Sequence, residues 1–336
     1  MATIQEVANR AGVSKATVSR VLSGNGYVGQ EKRERVLKAI AETGYRPNLL
    51  ARNLATKTSQ TIGLVITNTL YSGSYFTELM AHSARMMEQQ GRQLILADGK
   101  HTAEQEEAAI QFLLDLRCDG IIIYPRFLSI DALDAIISRH KQPILVINRR
   151  LRVNQSYCIY SDQHASSATA VTHLLNQGHR DIAFITGSLD SPTGVERLSG
   201  YHAALAAKGL EADDRRVVAG KWTAQSGMAA VDQLLERNAS FTALVASNDE
   251  MAIGAIKRLT ECGIAVPGRV SVIGFDDIPL APYITPSLSS MKLPVTEMID
   301  ETINRLLTML DGGDWHSQAP FTGSLMLRDS VTQGPW

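Results

Sequence analysis

The chain has 336 residues, 44% of them hydrophobic and 20% charged, with a formal net charge of −1. This balance excludes a disordered or fibrous chain, and the length exceeds one ordinary core, so two or three domains are expected. No apolar run approaches a membrane span, and the N-terminus "MATIQEVANR" lacks a signal peptide's apolar stretch, which together predict a cytoplasmic protein. Cys118, Cys158 and Cys262 are scattered and odd in number, without CxxC spacing. They read as small buried hydrophobes rather than disulfides or zinc ligands. The net charge conceals an asymmetry. Residues 1–60 carry ten Lys/Arg against four Asp/Glu, and the rest of the chain is acidic on balance. A polyanion could bind that short segment alone.

Thr3-Ile4-Gln5-Glu6 has the form of a capping box, and Ile4, Val7, Ala8 and Ala11 follow at helical spacing. A helix is expected from about Ile4 to Ala11, closed by Gly12. Ser14 would cap a second helix with Val18, Val21 and Leu22 buried. A turn of about three residues between them is that of a helix-turn-helix. Lys15, Ala16, Thr17, Ser19 and Arg20 fall on the outer face. They suit a major groove: Arg20 for guanine, Ala16 for a thymine methyl, Thr17 and Ser19 for phosphates. A third helix is expected over Glu31 to Thr43 with Val36, Leu37 and Ile40 inward. In "YRPNLLARNLATKTSQT", Asn48 to Lys57 could form one or two helical turns, ordered against a second subunit and a minor groove where Leu54 wedges between base steps; a plain linker is the other reading.

From Thr61 onward, β-rich runs such as "IGLVI", "GIIIY", "PILVI", "DIAFIT" and "VSVIG" alternate with helical patterns. That alternation means parallel sheets with crossover helices, in two successive halves, about 62–161 and 162–290. Two similar lobes with a cleft between them follow, and ligands of such sheets lie beyond the carboxyl ends of strands. The candidates there are Asn68, Asp98, Lys100, Tyr124 and Asn148 in the first lobe. Thr186, Ser188, Asn248, Asp249, Asp276 and Asp277 are those in the second. Trp222 could stack on a sugar ring or pack at the rim. Asp276 in "VIGFDD" could bind paired hydroxyls or cap a helix.

The enzyme motifs GxGxxG after the first strand, GxxxxGK[ST], GxSxG and HExxH are all missing. The eight histidines offer no metal-site pair, and His101 and His164 read as surface loop residues. No catalytic residue, metal or cofactor is therefore expected.

The motifs "TIQEVANRAGVSKATVSRVLSG", "GYRPNLLARNLATK", "QTIGLVI", "GHRDIAFITG", "ERLSGY", "SNDEMAIGA", "VSVIGFDD" and "LMLRDSV" resemble, in order and spacing, the LacI/GalR family of bacterial transcription regulators over essentially the full length. The resemblance implies an α/β chain with an all-α helix-turn-helix domain at 1–46, a hinge helix or linker at 47–60, and at 61–336 a two-lobed domain like the type I periplasmic binding proteins, for sugar binding and dimerisation. Its DNA-binding set would be Thr3, Ser14, Lys15, Ala16, Thr17, Ser19, Arg20, Asn48, Ala51 and Leu54. Its effector set would be Asn68, Tyr124, Asn148, Asp162, Arg197, Trp222, Asn248 and Asp276. On residue type alone Arg197 reads as an exposed helix charge; the resemblance reverses that.

The implied function is a repressor of a sugar operon, for β-glucosides in particular, binding a pseudo-palindromic operator as a homodimer under control of a sugar or glycoside effector. Two features depart from the family pattern. Gly29 stands where relatives carry Ser or Thr before the third helix, and no heptad tail follows "DSVTQGPW", so a dimer rather than a tail-dependent tetramer is expected. A phosphosugar or nucleobase-type effector is the alternative, with a sugar receptor that binds no DNA behind it. Arg126, Arg149 and Arg150 would serve an anion, whereas Asp162 and Asp276 favour neutral hydroxyls, because burying two carboxylates beside a phosphate is costly.

Overall fold

The computed structural model describes residues 2–24, 26–45, 58–67 and 73–335, which divide into two compact units, 1–60 and 61–336. Asn48, Ala51, Leu54 and Asn68, and with them the hinge helix, lie outside the described residues.

In the first unit, helices α1 (Ile4–Ala11), α2 (Lys15–Ser23) and α3 (Gln30–Thr43) follow one another. Thr3 Oγ1 accepts from the Glu6 amide at 3.3 Å while the Glu6 carboxylate accepts from the Thr3 amide at 2.8 Å, closing the capping box. Gly12 then takes the left-handed conformation at φ 65° that ends α1. Ser14 Oγ accepts from the Thr17 amide at 3.2 Å and starts α2. Val7, Ala8, Ala11, Val18, Val21, Val36 and Ala39 form the core. Leu37 is a correction, being 52% exposed. The inward stripe of α3 is Val36, Ala39 and Ile40, at i, i+3 and i+4, and a residue next to Val36 stands about 100° away from it.

The second unit contains two sheets. One comprises β1 (Thr61–Ile66), β2 (Gln93–Asp98), β3 (Gly120–Tyr124), β4 (Ile144–Ile147) and β5 (Cys158–Ile159), all parallel in the order β2-β1-β3-β4-β5. Helices α4 (Ser74–Gln89), α5 (Ala103–Asp115) and α6 (Ile130–Arg139) are its crossovers. The other comprises β6 (Ile182–Thr186), β7 (Val217–Ala219), β8 (Ala243–Ala246), β9 (Ser271–Phe275), β10 (Ser289–Lys292) and β11 (Ser324–Met326). Its order is β11-β10-β9-β8-β6-β7, parallel except where β11 runs against β10. Helices α7 (Gln163–Asn176), α8 (Pro192–Ala207), α9 (Ala224–Glu236) and α10 (Asp249–Glu261) go with it. Apolar side chains cover both faces of each sheet, as parallel strands require.

The lobes are not two successive halves. The last helix, α11 (Val295–Leu310), returns to the first lobe, where Val295, Met298, Ile299, Ile303 and Leu306 pack with Ile62, Leu64 and Leu145. The chain then crosses back beside its first crossing: the Phe321 amide donates to the Tyr160 carbonyl and the Asp162 amide to the Phe321 carbonyl, both at 2.9 Å. Cys118 and Cys158 are buried as expected, but Cys262, ending α10, is exposed.

Candidate ligand cleft and nucleic-acid interface

The carboxyl ends of the strands of both lobes border a cavity of about 170 Å³. Arg197, on α8, is 3% exposed and organises it. Its Nε donates to Gln163 Oε1 at 2.9 Å, its Nη1 donates to the Ser247 carbonyl, and its Nη2 lies 3.4 Å from Asp276 Oδ1. The guanidinium sits 4.4 Å from the Phe275 ring centroid. From Gln163 the chain of bonds continues into the first lobe: Gln163 Nε2 donates to Asn148 Oδ1 at 3.2 Å, and Asn148 Nδ2 donates to the Tyr124 hydroxyl at 2.6 Å. Arg197 is driven inward because α8 lies close on α7; a Cβ at Gly200 would run into the His164 carbonyl.

Trp222 follows β7, with its ring so close to Gly187 that a Cβ there would fall inside it. Asn248 caps α10, its Oδ1 accepting from the Met251 amide at 3.0 Å, and its Nδ2 donates to the Trp222 carbonyl at 2.9 Å. One N–H and one lone pair of that side chain are left for a ligand. Asn148, Trp222 and Asp276 take φ of 62°, 64° and 100°, a region that L residues seldom occupy and that gathers at binding sites. Burial pushes the Asp276 carboxyl above its ordinary value while Arg197 pulls it down, and burial likewise raises the Tyr124 phenol. Asp276 caps no helix: its carboxylate accepts from Arg197, and the next helical turn, Ala281–Tyr283, begins after Leu280.

Behind this wall two carboxylates shape the loops. Glu106, fully buried on α5, accepts from the amides of Arg126, Phe127 and Leu128 at 2.7, 3.0 and 2.8 Å. Asp249 accepts from Ser290 Oγ at 2.6 Å and the Ile278 amide at 2.9 Å; burial, with Asp276 nearby, raises its pKa to about 8. Across the cleft, Arg126 of the first lobe reaches both carboxylate oxygens of Asp190 at 3.0 and 3.1 Å.

In the first unit, Lys15, Ala16, Ser19 and Arg20 are exposed along α2 and Thr17 is half-buried. The Lys15 and Arg20 side chains make no ion pair or hydrogen bond among the described residues. Thr3 and Ser14 are committed to their caps, and Ser14 Oγ and Thr17 Oγ1 share a 3.0 Å bond. The exposed stripe is short, basic and hydroxylic, the chemistry that fits a major groove.

Known proteins agree with both halves of this picture. Residues 3–48 match the model of bacterial regulatory proteins of the lacI family, and residues 171–331 that of a periplasmic binding protein-like domain. The HTH-type transcriptional regulator AscG of Escherichia coli K12 is 62% identical over 98% of both chains.

The chain belongs to the LacI family of bacterial regulatory proteins.

Among solved structures, the lac repressor dimer bound to operator and the anti-inducer ONPF superposes with a TM-score of 0.89 at 28% identity, covering 98% of this chain and 99% of that one. The transcriptional regulator CelR in complex with cellobiose gives 0.72 at 30% identity, covering 98% and 100%. LacI-family regulators bind operator DNA as dimers with a sugar effector, and this chain is a DNA-binding transcriptional repressor of that non-enzymatic family. No helix among the described residues is long and apolar enough to cross a membrane, and no group of His, Cys, Asp or Glu among them could hold a metal.

In this LacI-family repressor, Tyr124, Asn148, Arg197, Trp222, Asn248 and Asp276 all line the cavity. Asp162 does not. It is the N-cap of α7, its carboxylate accepting from the Ala165 amide at 2.7 Å, so the helix claims the side chain. Asp98, Lys100, Thr186, Ser188 and Asp249 are also off the wall, and Asp277 pairs with Arg328 at 2.6 Å. Gln163, Thr193 and Lys221 were missed, as was the role of Glu106. Gln163 and Thr193 open helices at the cleft, a position that strand patterns do not mark, and nothing in "AEQEEAA" separates Glu106 from its neighbours.

Proposed function

We propose that this chain represses a β-glucoside utilisation operon, binding a pseudo-palindromic operator as a homodimer whose DNA affinity is set by a sugar or glycoside held between the lobes. The observation that carries this is the composition of the cavity wall. Trp222 offers an aromatic face, while Asn148, Arg197, Asn248 and Asp276 offer the donors and acceptors that hydroxyl pairs require. The complex of the relative CelR with cellobiose, a β-linked glucoside, supports that ligand class.

On the DNA side, Lys15, Ala16 and Arg20 read base edges and Thr17 and Ser19 reach phosphates. Residues 1–46 form the reading head, 47–60 the link through which the cleft acts, with Asn48, Ala51 and Leu54 on DNA, and 61–336 the effector and dimer domain. Arg197 and Asp276 are its central effector contacts. Full switching demands that the effector prefer one state by about 5.5 kcal/mol, and a smaller preference tunes expression without switching it.

Fluorescence anisotropy of the full chain against a labelled fragment of its own upstream DNA tests this, at fixed salt, with and without salicin, arbutin, cellobiose and free sugars. Tight binding that one β-glucoside weakens or strengthens is the expected result. Tight binding indifferent to every sugar would overturn a neutral sugar or glycoside as the effector, and weak binding indifferent to sequence would overturn the repressor's operator.

A further inference from the structure

The cavity wall is divided in charge. Its described residues include four cations, Arg126, Arg149, Arg197 and Lys221, against two carboxylates, Glu250 and Asp276. Arg197 already faces Asp276, and Arg126 is held by Asp190 across the cleft. Arg149 differs from both. It follows β4, its Nη2 donates to the Pro125 carbonyl at 3.1 Å, and it forms no ion pair among the described residues. The nearby buried Glu106 carboxylate attracts it through space but makes no hydrogen bond to it among the described residues, its oxygens being taken by three backbone amides. Burial holds the Arg149 guanidinium below its ordinary pKa, the mark of a cation short of solvation.

A desolvated guanidinium with spare N–H donors, facing a ligand cavity, is complementary to a phosphoryl or carboxylate group, which its planar fork binds through two parallel bonds. The objection to an anion was the pair Asp162 and Asp276. The first is turned away to cap α7, and the second is matched by Arg197. The second-lobe end of the cavity, with Asp276, Asn248 and Trp222, suits a sugar ring; the first-lobe end, with Arg149, suits an anion.

We propose that the effector is a phosphorylated glycoside, its sugar against Trp222 and Asp276 and its phosphoryl group on Arg149. This rests on the cleft being the effector site and sharpens the ligand class within it. A neutral glycoside would leave the Arg149 donors without the anion that their position favours.

Calorimetric titration of the full chain tests it, with salicin and cellobiose, the same compounds phosphorylated on O6 of the non-reducing glucosyl unit, glucose 6-phosphate and inorganic phosphate. A charge-assisted pair of this kind predicts a phosphorylated glucoside bound roughly 10- to 100-fold more tightly than its neutral parent. Arg149→Gln should abolish that preference while neutral-sugar affinity changes little, and Arg149→Lys, which keeps the charge, should retain part of it. Equal or tighter binding of the neutral parent overturns the inference and leaves the cleft reading standing, as does a preference that Arg149→Gln leaves unchanged. Saturation by inorganic phosphate while no sugar phosphate binds also overturns it. Binding of no glycoside in either form defeats the cleft reading, and this inference with it.

Discussion

The face of α2 proposed to read DNA draws five side chains, Lys15, Ala16, Thr17, Ser19 and Arg20, from one six-residue stretch, whereas the cleft assembles Tyr124, Asn148, Arg197, Trp222, Asn248 and Asp276 from six separate strand ends and helices. The first face is largely exposed, and among the described residues Lys15 and Arg20 on it make no ion pair or hydrogen bond. The second is half-buried to buried and largely bonded to itself, so a ligand there meets few side-chain groups still open to it, those of Asn248 among them. Local order suffices for a surface that reads a rigid groove. A ligand site between two lobes needs contributions from both of them.

That contrast can be broken most sharply at Arg197. Arg197→Ala removes donors to Gln163 and the Ser247 carbonyl and leaves Asp276 buried without its cation. Breaking a buried pair from one side costs about 3–5 kcal/mol, so urea denaturation should show a loss of that order together with loss of any sugar response. A loss under about 1 kcal/mol with the response intact would mean that this hydrogen-bonded chain does not hold the cleft together. Arg20→Ala should behave in the opposite way. Being exposed, it should leave stability within about 0.5 kcal/mol, while specific operator binding weakens by roughly 1–3 kcal/mol and selectivity relaxes at one base position. An unchanged footprint would remove α2 from the groove.

A smaller effect separates the units by pH. Asp249, buried behind the cleft, has a pKa raised from the ordinary 3.8 to about 8. Between those values the folded chain holds a proton that the unfolded chain has released, so this group's contribution makes stability fall as pH rises through that window. Asp249→Asn keeps the acceptor for the Ile278 amide and offers Ser290 a donor in place of an acceptor. Its melting temperature should therefore fall less than the parent's between pH 6 and 8.5. Equal slopes for the two proteins would mean that Asp249 is ionised throughout.

The same contrast governs how much could be read from the sequence. In the first unit the signals are local: Thr3 and Glu6 three apart, Gly12, Ser14 before an apolar stripe, and each does what its spacing predicts. Leu37 misled because an apolar residue beside a stripe looks like part of it until Ala39 is seen to fill the place. In the second unit the alternation of strands and helices located the strand ends, and through them most of the cleft. The return of α11 to the first lobe was not legible, since an amphipathic helix carries no address for the sheet that it covers. Asp162 shows the competition at its plainest: a carboxylate beside a strand end can bind a sugar or cap the next helix, and only the position of the Ala165 amide decides.

The smallest effect belongs again to the local unit. Gly29 precedes α3 with φ −57° and ψ 145°, accepts no side-chain role, and has nothing within 4 Å of where a Cβ would stand. Those angles are open to any L residue, so Gly29→Ser adds an acceptor for the first amides of α3 without strain. The gain from Gly to a good cap is only a few tenths of a kcal/mol, to which the lost backbone freedom of glycine in the unfolded chain adds a similar amount. Thermal melts followed through the helical signal should place the variant slightly above the parent, with Thr3→Ala, which removes a formed cap, about 1 kcal/mol below it. A Gly29→Ser variant less stable than the parent would mean that the added hydroxyl does not reach the first amides of α3 and that the cap reading of this position is wrong.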